Sequence, residues 1–308
     1  MLPVFKPTIM KSYILLAVIL LASLFPSCKP SINDACEEET FSFAFMTDIH
    51  VQPERNAIEG FRAAIAEANA LKPDFVITGG DLIFDALGVS YERADSLYNI
   101  YMEESKAFKM PVYNTMGNHE VFGIYEKSGV DPSDPNYRYG MYRSRLGDDY
   151  YSFDHGDWHF MVLKSVQETE DRHYYGKIDE EQMEWIRKDL LDVDPRTPIV
   201  ISTHIPFITV YTQILYNDYA PNFHGLVVEN AREVLDLFMG HNLKIVLQGH
   251  LHYLEDIDVY GTHFITGGAV SGHWWSGPYE KIEEGFLMIH VNGEDFCWEY
   301  VDYGWEAE

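Results

Sequence analysis

The stretch Phe41-Ser42-Phe43-Ala44-Phe45-Met46-Thr47-Asp48-Ile49-His50 decides the fold. Its first seven residues form an apolar run that reads as a β-strand. It then ends in Asp48 and His50, which can bind metal or move protons. The same arrangement recurs along the chain. DFVIT leads to Gly79-Gly80-Asp81, and PVYNTM leads to Gly117-Asn118-His119-Glu120. PIVIST runs into Ser202-Thr203-His204, and LKIVLQ leads to Gly249-His250-Leu251-His252. Each polar residue therefore stands where a strand hands over to a loop, the usual place for an active site in an α/β protein.

Helical patterns fill the gaps between the early strands. Ile58, Phe61, Ile65 and Ala68 have helical spacing within 55–71, and a second helix is expected near 91–108. With strands at 41–47, 74–78 and 111–115, this β-α-β-α-β order argues for parallel strands. Residues 121–149, rich in Gly, Pro, Tyr and Asp, read as a long loop. A hairpin turning at His155-Gly156-Asp157 follows, then a helix near 179–192 and a strand at 198–203. Residues 205–226 read as an aromatic loop, followed by helix 229–240 and strand 243–248. From 255 to 303 the strands EDIDVY, THFITGG, GFLMIHV and DFCWEYV are antiparallel in character.

Carboxylate, amide oxygen and neutral imidazole together suit borderline divalent ions such as Mn, Fe or Zn. No cysteine lies near these segments, so a closed thiolate site is excluded. A shared carboxylate can hold two such ions about 3.5–4 Å apart, with water activated near neutral pH for in-line displacement at phosphorus.

The ordered set D-x-H, G-D, G-N-H-E, a lone strand-end His and G-H-x-H resembles the calcineurin-like metallophosphoesterase superfamily. The resemblance implies a four-layer α/β/β/α sandwich of two mixed sheets. It implies one ion held by Asp48, His50 and His252, a second by Asn118, His204 and His250, and Asp81 bridging them. His119 would stand over the substrate as general acid while a metal-bridging hydroxide attacks. The chain departs from two subfamilies. Phe84 stands where purple acid phosphatases have an iron-binding Tyr, and the run after Asp81 lacks the Arg of protein Ser/Thr phosphatases. The combination looks more like bacterial phosphodiesterase-type members. Asp85 can be read as support for the site or as a turn cap.

The N-terminus reads differently from the rest. Lys6 and Lys11 precede an apolar run from Tyr13 to Leu24, the layout of a secretory signal peptide. That run is shorter than the roughly 20 residues needed to span a bilayer. Cys28 after Ser27 resembles a bacterial lipobox, although Phe25 and Pro26 depart from its usual residues. The expected division is a signal peptide at 1–27, a lipidated Cys28 with a flexible tether to residue 40, and one catalytic domain at 41–308. Plain secretion and an uncleaved anchor are the alternatives. Export would place the protein in a bacterial cell envelope, lipid-anchored on the periplasmic or surface side. There a Cys36–Cys297 disulfide and two free thiols are both open.

The chain has 308 residues and a formal charge of −27. That charge argues against binding duplex nucleic acid or a polybasic membrane contact, which leaves the lipid as the membrane attachment. Two aromatic loops stand near the metal segments. Phe207 and Tyr211 in one, and adjacent Trp274 and Trp275 in the other, are candidates for contact with substrate. No run of Lys or Arg lies beside the motifs to neutralise a dianion, which favours a diester over a monoester. The expected partner is thus a small-molecule or envelope-derived phosphoester. A phosphomonoesterase and a non-catalytic ligand-binding lipoprotein are the competing readings.

Overall fold

The computed structural model describes residues 40–307, apart from 219–221, 223 and 224. The expected signal peptide, Cys28, the tether and Cys36 lie outside the described residues, as do Tyr219, Phe223 and His224. No helix among the described residues is long and apolar enough to cross a membrane.

Two sheets face each other. The first contains β1 (Phe41–Met46), β2 (Phe75–Thr78), β3 (Val112–Asn114), β12 (Gly285–Asn292) and β13 (Asp295–Asp302), in the order β13-β12-β1-β2-β3. The second contains β4 (Tyr151–His155), β5 (Trp158–Leu163), β8 (Pro198–Thr203), β9 (Asn242–Gln248), β10 (Glu255–Val259) and β11 (Thr262–Thr266), in the order β10-β11-β9-β8-β5-β4. Within the first sheet β1, β2 and β3 are parallel. Within the second, β5, β8, β9 and β11 are parallel. The β4–β5 hairpin turns at Gly156-Asp157, as expected.

Side-chain alternation assembles the layers. Phe41, Phe43 and Phe45 of β1 enter an inter-sheet core with Phe75, Phe160, Val200, Leu247 and Leu287. Phe43 and Phe75 stack there at 5.1 Å. The intervening Ala44 and Met46 face outward, into the cluster that holds Phe61, Ile65 and Leu97. Those three side chains belong to α1 (Ala57–Leu71) and α2 (Tyr91–Glu104). On the other sheet Ile199, Ile201 and Val246 meet Ile186 and Val234, from α4 (Glu180–Asp189) and α6 (Ala231–Leu237). The four-layer α/β/β/α sandwich is therefore present.

Four features differ from the sequence reading. The 121–149 loop contains a short helix, α3 (Gly140–Leu146), whose Arg143 pairs with Asp149 at 2.9 Å. Between β5 and α4 a separate small ladder forms from β6 (Val166–Glu168) and β7 (Tyr174–Gly176). The aromatic loop holds a further short helix, α5 (Tyr211–Tyr216). The C-terminal strands are not one antiparallel unit. β10 and β11 extend the second sheet, with β11 parallel to β9, whereas β12 and β13 complete the first. Cys297 on β13 is disulfide-bonded.

Candidate metal centre

The carboxyl ends of β1, β2, β3, β8 and β9 converge on one edge of the sandwich. Asp48, His50, Asp81, Asn118, His204 and His252 are buried there, with His250 and His119 at the margin. The backbone is bent to achieve this. Asp48 (φ 54°), His50 (φ 48°), Asp81 (φ 52°), His250 (φ 75°) and His252 (φ 52°) all sit in the left-handed region. Such conformations cost about 1–3 kcal/mol each and concentrate at functional sites. Here they turn each side chain from its strand direction into a common space.

The loops lock one another in place. The Asp48 N–H donates to the Gly80 carbonyl at 3.0 Å, and the His50 N–H to the Asp81 carbonyl at 2.8 Å. A Cβ on Gly117 would lie 2.2 Å from the Asp81 backbone nitrogen, so only glycine allows the β3 loop this close. Glu120 is the fastener. Its Oε2 accepts from the N–H groups of Asp81 (2.9 Å) and Gly117 (2.7 Å). Its Oε1 accepts from those of Leu82 (2.8 Å) and Ile83 (3.1 Å). Burial and the neighbouring Asp81 carboxylate raise its pKa to about 7.

Each imidazole has one nitrogen tied to backbone, or free of any partner, and the other aimed inward. His252 donates Nδ1–H to the Gly272 carbonyl (2.5 Å), and His204 donates Nδ1–H to the Gly79 carbonyl (2.8 Å). Their Nε2 atoms are left facing Asp48 Oδ1 (3.4 Å) and Asp81 Oδ2 (3.2 Å). His250 is reversed: Nε2–H donates to the Gly225 carbonyl, leaving Nδ1 inward. His50 Nδ1 is buried with no partner, while its Nε2 lies 3.0 Å from His252 Nε2. Asn118 Oδ1 lies 3.1 Å from His204 Nε2. Ligand atoms of Asp48, His50 and His252 form one tight group, and those of Asp81, His204 and His250 another. Asp81 also groups with His50 and His119, so its carboxylate stands between the two sets.

Protonation follows from burial. Burial, then the His119 imidazole, holds His50 well below its ordinary pKa. Burial and His204 take His250 to about 3, and burial lowers His252. Burial opposes charge on His204 too, but Asp81 and Asp48 overcome it and raise its pKa to about 9. Burial would raise Asp81, yet His204, His119 and His50 pull it well below the carboxylate range. Asp48 is raised, because burial outweighs its imidazole neighbours. Imidazoles, carboxylates and an amide oxygen crowded into a dry space are a donor set for divalent cations. The Nε2 atoms of His50 and His252 stand 3.0 Å apart beside the Asp48 carboxylate, an approach that a cation between them would explain.

A family model described as calcineurin-like phosphoesterase matches residues 41–254, from the start of β1 to just past His252. The chain belongs to the calcineurin-like phosphoesterase family. It is thus a phosphoesterase, a hydrolase of phosphoester bonds from a dimetal-dependent family. It is 22% identical over 253 residues to a Xenorhabdus bovienii protein named "Probable cyclic nucleotide phosphodiesterase", covering 78% of this chain and 91% of that one. It is 25% identical over 185 residues to the Bos taurus serine/threonine-protein phosphatase CPPED1, covering 59% of this chain and 54% of that one. A dimetal phosphatase structure from Danio rerio superposes with a TM-score of 0.60 at 17% identity, covering 86% of this phosphoesterase and 97% of that chain.

The aromatic candidates divide. Trp274 is half-buried, with its ring 4.6 Å from that of His252 and 6.0 Å from that of His50. Trp275 is buried and donates its indole N–H to the His50 carbonyl at 3.1 Å. A Cβ on Gly60, in the first turn of α1, would lie 2.1 Å from the Trp275 ring, so this glycine makes room for it. Trp275 is therefore a packing residue behind the site. Phe207 likewise lies buried in the main core. Tyr211 is buried too, its hydroxyl 2.5 Å from that of Tyr279 and 3.2 Å from that of Tyr216. It stands one side chain back from the imidazoles, since Tyr279 is the ring beside His252. Asp85 caps a turn, accepting from the Leu87 N–H at 2.8 Å.

The sequence reading assigned no role to Glu120 or Arg55. The fourth position of Gly117-Asn118-His119-Glu120 was the available signal for Glu120: an acid placed directly after ligand positions. For Arg55 there was none, because its neighbours lie far along the chain.

Proposed function

We propose that this phosphoesterase cleaves phosphodiesters, with His119 as the general acid. The orientation of His119 carries this reading. Its Nδ1–H donates to the Phe84 carbonyl, which leaves Nε2 as the working nitrogen. That nitrogen is 3.8 Å from Asp81 Oδ2, and the side chain is 23% exposed, unlike the sealed imidazoles behind it. Its backbone N–H donates to Asp81 Oδ1 at 2.9 Å, fixing it beside the bridging position.

Asp48, His50, His252, Asn118, His204, His250 and the shared Asp81 would hold two divalent ions, with Mn, Fe or Zn suited to the donors. Bound there, the ions supply Lewis acidity toward phosphoryl oxygen and lower the pKa of water to near 7. Hydrolysis forms one phosphorus–oxygen bond to water and breaks the ester bond. His119 delivers a proton from Nε2 to the departing oxygen. The scarcity of basic side chains around the centre supports a monoanionic diester over a dianionic monoester.

An alkoxide leaves poorly without a proton, whereas nitrophenolate hardly needs one. His119→Ala should keep its metals and lose about 10²–10⁴-fold on an alkyl phosphodiester, with a much smaller loss on a nitrophenyl ester. Equal losses on both, at unchanged metal content, would reduce His119 to a binding or structural residue. Faster turnover of para-nitrophenyl phosphate than of its bis-ester would replace the diester reading with a phosphomonoesterase.

For location, we propose an exported, envelope-resident protein anchored through lipidated Cys28 and acting on small or envelope-derived phosphoesters. Lys6, Lys11, the Tyr13–Leu24 run and Ser27-Cys28 support this. More than one chain is needed for firm anchoring, as a lipoprotein cysteine would provide. Wild-type protein should fractionate with membranes and Cys28→Ser should not. An unmodified residue 28 on soluble wild-type protein, read by mass spectrometry, would remove the anchor.

A further inference from the structure

A cavity of about 390 Å³ opens beside the metal centre, lined by Arg55, Phe84, His119, His273, Trp274 and Ser276. Its inner wall is aromatic. The rings of His119, Trp274 and Phe84 lie 4.7, 6.0 and 6.5 Å from that of His50, so they gather around it while also lining the hollow. Trp274 is held there by a left-handed backbone (φ 49°), a conformation that disfavours a large side chain without support. Arg55 provides that support. Its Nη1 donates to the Trp274 carbonyl at 2.9 Å and to Ser276 Oγ at 3.0 Å.

Arg55 is unusual in this acidic chain. Every other arginine among the described residues pairs with a carboxylate or, in Arg172, donates into backbone carbonyls. Arg55 has no carboxylate partner among the described residues. It stands exposed at the rim of a cavity that shares a wall with His119.

We propose that this cavity is the leaving-group subsite, selecting esters whose alcohol carries a flat ring and, beyond it, an anionic oxygen for Arg55. The inference rests on His119 facing the departing oxygen, as in the proposed function. A group attached to that oxygen extends past His119 into the hollow. A planar ring there covers Phe84 and Trp274 and gains their dispersion and quadrupole contacts. A small polyol would press hydroxyls against aromatic faces and lose hydration. At the rim, Arg55 presents a fixed fork, suited to a carboxylate or a second phosphate.

The test uses metal-loaded full-length protein and non-hydrolysable phosphonates, followed by calorimetry. Benzylphosphonate should bind about tenfold or more tightly than ethylphosphonate. Trp274→Ala should collapse that ratio toward one, and Trp274→Phe should restore much of it. 4-Carboxybenzylphosphonate should bind more tightly still, an advantage lost in Arg55→Gln. Thermal melts and metal content keep these effects separate from misfolding.

Equal binding of the benzyl and ethyl compounds by wild-type protein would overturn the subsite while leaving phosphodiesterase turnover intact. If Arg55→Gln weakens benzyl and carboxybenzyl compounds equally, Arg55 holds the phosphonate itself, and its rim role falls. If metal-loaded protein hydrolyses no phosphodiester, the parent reading fails and takes the subsite with it.

Discussion

Two of the molecule's histidine–carboxylate clusters sit at opposite edges of the sandwich, one at the carboxyl ends of β8 and β9 and the other at the amino end of β5, and only the first has the arrangement of a metal site. At the far edge His159 lies between Asp154 and Asp189, at the mouth of a cavity of about 500 Å³. That cavity is larger than the one beside His119, so size would choose the wrong edge. The hydrogen bonds decide otherwise. His159 uses both ring nitrogens on carboxylates, at 2.7 Å to Asp154 and 2.8 Å to Asp189. No lone pair is left over, and none of the three residues has a positive φ. At the metal edge the imidazoles turn one nitrogen inward, toward one another's donor atoms, and five residues of the site carry a positive φ. A satisfied imidazolium is a strut. An imidazole tied to backbone by one nitrogen, with the other facing carboxylates, is a ligand in waiting.

The severest way to break this contrast is Asp81→Asn. The shape is preserved, but the charge shared by both donor groups is removed. At least one metal and nearly all turnover should be lost. Elemental analysis that finds two metals retained, with full activity, would show that Asp81 does not bridge.

Glu120→Gln should have a smaller but still large effect. An amide keeps one oxygen and turns a donor toward two of the four N–H groups that Glu120 now accepts from. The Asp81 and Gly117 loops should then separate. Loss of such supporting groups typically lowers metal affinity about 10–100-fold. A manganese titration of the metal-free variant measures this directly. Wild-type affinity in Glu120→Gln would mean the ligand loops hold their shape without it.

How much of this was readable from the sequence depends on range. Asp48, His50, Asp81, Asn118, His119, His204, His250 and His252 were legible because each follows its own apolar strand, and local pattern suffices to see that. The four-layer sandwich followed from the family those residues point to. What stayed hidden depends on partners distant in the chain. Adjacent Trp274 and Trp275 look alike as text. They separate only because Gly60, on a helix more than two hundred residues earlier, leaves space for one ring. The tail strands all alternate, yet pairing with β9 or with β1 divides them between sheets. Helix α3 was missed because seven residues are too few for periodicity to show.

The smallest effect tests the other half of the contrast, that His159 is a strut. Burial opposes its charge, but the hydrogen bonds that its ring N–H groups donate to Asp189 and Asp154 prevail and raise its pKa above the ordinary value. Asp189, against the cost of burial, is lowered by His159 and Ser152. A raised histidine contributes its stability fully below the unfolded pKa, near 6.5, and loses it as pH climbs through the folded value. A lowered aspartate contributes above its unfolded pKa, near 3.9, and loses that as pH falls through its folded value. The pair therefore stabilises most between those limits, around pH 5–6. Asp154 is 77% exposed, so solvent screens its share, and the whole should be worth about 1 kcal/mol. Denaturant unfolding of His159→Gln against wild type should show the largest gap near pH 5.5, shrinking steadily above pH 7. The same profile is expected with metals bound and after chelation, because the cluster lies at the opposite edge. A His159→Gln variant that keeps its stability at every pH but loses metal or turnover would make the far edge functional and erase the distinction.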